Sequence, residues 1–154
     1  MTCRTLLGTV LIALATGAQA LADPPERVAR VSFLGGATSM RTGTGADWSP
    51  AAMNYPLTVG DEVWTDRAGR LELTMGATAV DLDAMTNASI LNLDHHVMQL
   101  RVAQGTTIVR VRELAPDESL EIDTPNSAVT LLRPGVYRID VGSGDSATVT
   151  VCPA

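Results

Sequence analysis

The segment ESLEIDTPNSAVTLLRPGVYRIDV, residues 118–141, decides the fold class of this chain. It contains three short runs in which apolar and polar residues alternate. The first run places Leu120 and Ile122 on one face and acidic residues on the other. This period of two is the spacing of a half-buried β-strand. The runs are separated by residues 124–126 (Thr-Pro-Asn) and 133–135 (Arg-Pro-Gly), which favour tight turns. The segment therefore predicts three strands joined by two reversals of the chain.

The same alternation recurs through most of the chain. The run at 28–34 is expected to place Ala29, Val31 and Phe33 on one face, and Gly105 is expected to turn the chain between two strands. Further alternating runs lie at residues 71–75, 80–82, 98–102, 109–111 and 149–151. No stretch after residue 22 shows a sustained helical stripe. Short strands separated by turn signals predict a single all-β domain, residues 23–154, with a sandwich-like or twisted arrangement of antiparallel strands.

The N-terminus has the pattern of a secretory signal peptide. Arg4 precedes an apolar run from Leu6 to Ala18, and small residues follow in Ala18-Gln19-Ala20 and Ala20-Leu21-Ala22. Positive charge, a short apolar core and an A-x-A site are the three parts of such a signal. We therefore predict that residues 1–22 are a signal peptide and that the protein is periplasmic or secreted. The alternative is an uncleaved membrane anchor, in which case the protein contacts the membrane.

Charge and cysteine content exclude some classes of function. The chain has a net charge of −6, all of its basic residues are Arg, and they form no cluster. Nucleic-acid binding normally requires a basic patch, so no nucleic-acid partner is expected. Cleavage of the signal would remove Cys3 and leave Cys152 without an intramolecular partner, even in an oxidising compartment.

One group of residues resembles a metal site. Asp94, His95 and His96 are consecutive, and imidazole and carboxylate groups bind metals. On a strand, however, adjacent side chains point to opposite faces, and this group lies between two apolar runs where a hairpin turn is expected. We interpret it as a solvated turn, with a metal-dependent hydrolase as the remote alternative.

Other polar and aromatic residues also fail to form a recognisable site. Residues 81–87 only partly match a calcium loop, because the loop's glycine and terminal acidic residue are missing. Trp48, Trp64, Tyr55 and Tyr137 could line a sugar- or peptide-binding face, although core packing is the favoured interpretation. The sequence predicts no catalytic, cofactor-binding or metal-binding residue, and the protein is not expected to be an enzyme.

Several motifs resemble the periplasmic domain of the FecR family, the iron-dicitrate sensor regulators. Residues 57–65, LTVGDEVWT, match the family's L-x-x-G-D-x-V-x-T element. Residues 69–73, GRLEL, resemble the strand that follows it, and residues 100–105, LRVAQG, resemble its L-x-x-G turn. The T-P-x-x-A-V turn at 124–129 and Gly135 complete the resemblance, which covers most of the predicted domain.

The resemblance implies a β module of the cell envelope that acts by contact with another envelope protein and without a cofactor. Only Met1 to Thr5 precede the hydrophobic segment, where the family's regulators carry cytoplasmic helices that control a sigma factor. The sequence also stops soon after Val151, where the family usually continues, which suggests either a shortened module or the front piece of a longer secreted FecR-domain protein. We predict a non-catalytic binding or scaffolding role, with an anchored envelope sensor as the alternative. An exposed sheet edge is the expected contact, and Tyr137 to Val151 is expected to be the least protected part of the fold.

Overall fold

The computed structural model describes residues 27–142, 144 and 146–152. The predicted signal peptide, residues 1–22, lies outside them. The described residues form thirteen strands and no helix, which confirms the all-β prediction. The strands are β1 (Ala29–Gly35), β2 (Thr38–Arg41), β3 (Ser49–Pro50), β4 (Pro56–Leu57), β5 (Glu62–Thr65), β6 (Arg70–Met75), β7 (Thr78–Leu82), β8 (Asn87–Leu93), β9 (Val97–Val111), β10 (Ser119–Asp123), β11 (Ala128–Leu131), β12 (Gly135–Val141) and β13 (Ala147–Cys152).

The strands form one curled sheet with two halves that share β9. Half A has the strand order β4-β1-β6-β7-β9-β12-β13, and half B has the order β3-β2-β5-β8-β9-β10-β11. The N-terminal part of β9 pairs in half B, and its C-terminal part pairs in half A. All neighbouring pairs are antiparallel except β9 and β10, which run parallel. A single long strand therefore connects the two halves.

The predicted turn at Gly105 is wrong, because β9 continues through this residue for its full length of 15 residues. Gly105 has a φ of +97°, which bends the strand without reversing it. The buried Thr86 side chain holds the bend: its hydroxyl donates to the carbonyl oxygen of Thr106 at 3.1 Å and accepts from the Thr106 N–H at 3.0 Å. The glycine thus redirects the chain from one half of the sheet to the other.

One hydrophobic core lies between the two halves. The face predicted for Leu120 and Ile122 is confirmed, since neither residue has exposed surface, and Ile139 of β12 is fully buried as well. They join the buried apolar residues of the other strands in a single cluster. Removal of apolar surface from water, at about 25 cal/mol per Å², is the main force that holds the sheet in this curled form.

The two predicted reversals in residues 118–141 differ from each other. The first is a tight β10–β11 hairpin, in which the Thr124 N–H donates to the Ser127 carbonyl at 2.7 Å. The second is not a hairpin, because β11 pairs in half B whereas β12 pairs with β9 and β13 in half A. Arg133 and Pro134 carry the chain across from one half to the other.

The prediction that Phe33 shares a face with Ala29 and Val31 is also wrong. Ala29 and Val31 are buried, but a β-bulge after Val31 changes the register, so that Phe33 lies opposite Glu72 on the outer face of half A. The extra residue of a bulge shifts the side chains that follow it to the other face. Phe33 is consequently 50% exposed.

Candidate interaction edge

Four strands form the ends of the two sheet halves in the described part of the chain. Two of them, β3 and β4, contain two residues each, and one of the two is a proline, Pro50 or Pro56. The third, β11, contains four residues. The fourth, β13, contains six and pairs with β12 without interruption from Val136↔Cys152 to Val141↔Ala147. The outer side of β13, residues 147–152, is therefore the longest open edge, and we call it the β13 edge.

The β13 edge lacks the features by which proteins usually protect such strands. Open edges are normally shortened, bulged, or supplied with charged residues or proline, since unpaired N–H and C=O groups attract other strands. The sequence ATVTVC contains no proline and no Asp, Glu, Lys or Arg. Alternating Thr and Val also have high β propensity. This edge therefore has the composition of a strand that pairs rather than of one that avoids pairing.

Hydrogen bonding at the β12–β13 turn shows which backbone groups of β13 point outward. The Gly142 N–H donates to the Ser146 carbonyl at 3.1 Å, which makes these two residues a hydrogen-bonded pair. Bonded and non-bonded pairs alternate along an antiparallel ladder. Thr148 and Thr150 therefore direct their N–H and C=O groups toward β12. Ala147, Val149 and Val151 direct theirs away from the sheet.

The side chains of the β13 edge continue the apolar face of β12. Val149 lies opposite Ile139 and Val151 lies opposite Tyr137. Val149 is 40% exposed and Val151 is 65% exposed, whereas Ile139 is fully buried. The apolar layer thus runs past the covered core and ends in two exposed valines beside unpaired backbone groups.

The opposite face of β12 carries charges that neutralise each other. Arg138 donates to the Asp140 carboxylate through Nε at 2.8 Å and through Nη2 at 2.7 Å. The Arg138 guanidinium, together with a 2.6 Å hydrogen bond from the Thr106 hydroxyl, holds the pKa of Asp140 below its ordinary value of 3.8. The strand next to the edge therefore presents a paired arginine and aspartate and no unbalanced charge.

A second surface feature is a cleft on the outer face of half A. It has a volume of about 210 Å³ and is lined by the exposed Phe33 ring, Ile108 and several charged residues. Arg110 pairs with Asp81, and its Nη1 lies 3.8 Å from a carboxylate oxygen of Glu72. Burial raises the pKa of Asp81 in spite of Arg110. The cleft is smaller than the roughly 300 to 1,000 Å³ of typical small-molecule sites, and its charges bind one another.

Asp94, His95 and His96 form the turn between β8 and β9, as the sequence predicts. The Asp94 carboxylate accepts hydrogen bonds from the N–H groups of His96 at 2.8 Å and Val97 at 2.7 Å, which lower its pKa. His96 Nδ1 lies 3.3 Å from a carboxylate oxygen of Asp117, and both histidines are exposed. Asp94 thus closes a turn with its backbone contacts. Among the residues that the structure describes, no group of three or more His, Cys, Asp or Glu residues is arranged to hold a metal.

The four aromatic residues singled out in the sequence do not share one face. Tyr55 and Tyr137 pack against the core, as favoured, and the Tyr137 hydroxyl donates to the Arg133 carbonyl at 2.7 Å. Trp64 is half-buried in β5. Trp48 is 43% exposed, and the Arg41 guanidinium lies 5.1 Å from its ring centre. The structure thus gives core roles to the tyrosines only.

The β13 edge was only partly predictable. The alternation at residues 149–151 predicts a strand, and its lack of charge is visible in the sequence. Its position at the end of half A depends on the pairing of β12 with β9, which no local pattern indicates. Cys152, at the end of this strand, is an unpaired and partly buried cysteine.

Comparison with known proteins gives no match among family models, curated proteins or solved structures. No helix within residues 27–142, 144 and 146–152 is long and apolar enough to cross a membrane.

Proposed function

We propose that this protein is an exported, non-catalytic FecR-like β module that binds protein chains in the bacterial envelope by accepting a strand at the β13 edge. The observation that carries the proposal is the edge itself. It combines six regular residues, no charge, outward backbone groups and two exposed valines. The export signal and the FecR-like motifs of the sequence support the compartment and the family.

The chemistry of the edge suits strand addition. In this mode of recognition, main-chain hydrogen bonds supply affinity and alternate side chains supply specificity. Ala147, Val149 and Val151 each offer one outward N–H and one outward C=O group. Each hydrogen bond contributes about 1 kcal/mol net. An added strand would also cover the exposed surface of Val149 and Val151, at about 25 cal/mol per Å².

The FecR-like G-D motif has a structural part to play in such a module. The carboxylate of the buried Asp61 accepts hydrogen bonds from the N–H groups of Thr58 at 2.8 Å and Gly43 at 2.9 Å. Gly60 adopts a φ of +91°, which permits this turn. These residues stabilise the loop before β5. Their role is therefore structural, and the proposed binding surface remains the β13 edge.

A binding experiment with two proline variants tests the proposal. Val149→Pro removes an outward N–H of β13 without breaking a bond to β12, and proline is tolerated on edge strands. Ala128→Pro is the matched control, since Ala128 occupies the corresponding outward position on β11. In capture from an envelope extract, Val149→Pro should weaken binding about tenfold or more, which corresponds to about 1.4 kcal/mol. Ala128→Pro should bind like the wild type.

Two results would contradict the proposal. Equal capture by the wild type and Val149→Pro would show that the edge is not the binding surface. N-terminal sequencing of the protein from cells tests export: we expect a start at Leu21 or Asp23, and an intact N-terminus would favour the anchored sensor.

A further inference from the structure

We infer that the strand accepted at the β13 edge is β13 of a second copy of this chain, antiparallel to the first about a twofold axis at Val149. This inference rests on the proposed strand addition and names its partner. Symmetric dimers are the commonest oligomers, and a twofold interface requires a surface complementary to itself. The β13 edge meets this requirement in its hydrogen bonds, its side chains and its charge.

The hydrogen bonds select one register. Only Ala147, Val149 and Val151 have outward backbone groups, so these residues must face one another. With the axis at Val149, Val149 faces its own copy, and Ala147 faces Val151 in both directions. All three outward residues of each strand then lie in bonded pairs, and each such pair exchanges two hydrogen bonds. Every other antiparallel register pairs fewer of the three.

The side chains match in the same register. Val149 and Val151 of both copies lie on one face, where they cover each other and extend the apolar layer that begins with Ile139. On the other face, Thr148 of each copy lies opposite Thr150 of the other. Pairs of threonines across antiparallel strands are favourable. The alternation of Val and Thr is thus complementary to itself.

Charge distinguishes a second copy from a basic partner. Two copies, each with a net charge of −6, repel one another at a distance. The strand itself has no Asp, Glu, Lys or Arg, and the neighbouring Arg138 and Asp140 are paired. Pairing at the edge therefore places no like charges in contact. Salt should strengthen the dimer by screening the long-range repulsion, whereas it would weaken binding to a basic protein.

The proposed register also assigns a position to Cys152. This residue would face Ser146 of the second copy, so the two Cys152 side chains would lie far apart along the paired strands. At about 3.4 Å per residue, an offset of six residues corresponds to about 20 Å. Disulfide formation requires Cα atoms within about 7 Å. The dimer is therefore expected to form equally well in the presence of a reducing agent.

Sedimentation equilibrium of the purified protein tests self-association. One pair of six-residue strands buries less than a standard interface of about 1,600 Å², so we expect dissociation in the micromolar range. The wild type and Ala128→Pro should dimerise. Val149→Pro should remain monomeric up to concentrations about tenfold higher than those at which the wild type dimerises. Dimerisation should strengthen as salt is raised. A wild type that stays monomeric at every salt concentration would overturn the inference, as would a dimer unaffected by Val149→Pro.

Cysteine cross-linking tests the register in a Cys152→Ser background. Val149→Cys places two thiols on a facing pair with Cα atoms about 5.5 Å apart, within the range for a disulfide. Thr150→Cys is the control, because Thr150 faces Thr148 rather than itself. We expect mild oxidation to link Val149→Cys and to leave Thr150→Cys largely unlinked. The reverse pattern would overturn the register.

The two proposals fail in different ways. A monomeric protein whose capture of an envelope protein is lost in Val149→Pro would overturn self-pairing and retain strand addition. If Val149→Pro changes neither the capture of an envelope protein nor self-association, strand addition and self-pairing are both overturned.

Discussion

At the scale of single residues, Gly105 determines how the two sheet halves are connected. Its positive φ bends β9, and a Cβ atom at this position would lie 2.4 Å from Thr86 Oγ1, 2.5 Å from Thr86 Cα and 2.7 Å from the Met85 carbonyl oxygen. These distances are far below van der Waals contact, and two of the three atoms belong to the backbone. The bend and its threonine support therefore require glycine.

We predict that Gly105→Ala lowers the free energy of unfolding by more than about 4 kcal/mol, because it combines backbone strain with a steric clash. Gly76→Ala is the matched control. Gly76 has a φ of +57°, but a Cβ atom there would have no neighbour within 4 Å. Strain alone should cost about 1 kcal/mol at that position. Urea denaturation of both variants measures the difference, and equal losses would show that the contact with Thr86 is unimportant.

At the scale of elements, the structure divides the segment from Tyr137 to Val151 into two parts. β12 is bonded on one side to β9 and on the other to β13, and its Ile139 is fully buried. β13 has a neighbour on one side only within the described residues. The sequence predicts low protection from hydrogen exchange for the whole segment. The structure limits this prediction to β13.

Hydrogen exchange should show an alternating pattern in β13. In the dilute monomer, the amides of Ala147, Val149 and Val151 should exchange quickly, whereas those of Thr148 and Thr150 should be protected by β12. Raising the protein concentration should slow the first set as dimers form. Amides of Val149 and Leu73 that exchange equally slowly at high dilution would contradict the assignment of the outward groups. Leu73 lies in β6, which is paired on both sides.

At the scale of the whole molecule, hydrogen bonds and ion pairs in the folded state stabilise the charged form of three carboxyl groups. The pKa of Glu118 is lowered from its ordinary value of 4.5, first by the Ala115 N–H and then by Arg27. The pKa of Asp94 is also lowered, by backbone N–H groups, and the pKa of Asp140 is lowered by Arg138. The pKa of Asp81 is raised instead, because burial disfavours its charged form.

The protein should therefore lose stability in acid. A carboxylate with a lowered pKa stabilises the fold above its unfolded pKa, and this contribution disappears as the pH falls through the folded value. Asp81 has the opposite effect, because protonation removes the cost of burying its charge. We expect the free energy of unfolding to fall as the pH is lowered below about 4.5. Denaturant titrations at neutral pH and at about pH 3 measure this change.

Glu118→Gln identifies one source of the acid sensitivity. This variant should be less stable than the wild type at neutral pH, and the difference should shrink as acid protonates Glu118. Glu113→Gln is the control, because Glu113 is exposed. A constant difference between the wild type and Glu118→Gln across this range would show that its charge does not contribute.

The local pattern of the sequence was enough to predict the strands and most of their inward faces. Leu120, Ile122 and Ile139 alternate with polar residues, and alternation alone places such side chains on one side of a strand. The Asp94 turn was predictable for the same reason, since a polar group between two apolar runs favours a reversal. Phe33 was not, because the bulge that reverses its face arises from pairing with β6.

By itself, the sequence determined the all-β class, the hairpin at residues 124–127 and the uncharged character of residues 147–152, because these depend on neighbours along the chain. Only the tertiary structure decided that β9 spans both sheet halves, that residues 133 and 134 cross between them, and that β13 has no second neighbour among the residues that the structure describes. The physical reason is that strand pairing joins residues distant in sequence. Backbone hydrogen bonds, which are the same for nearly every residue type, carry no record in the sequence of which strands they connect.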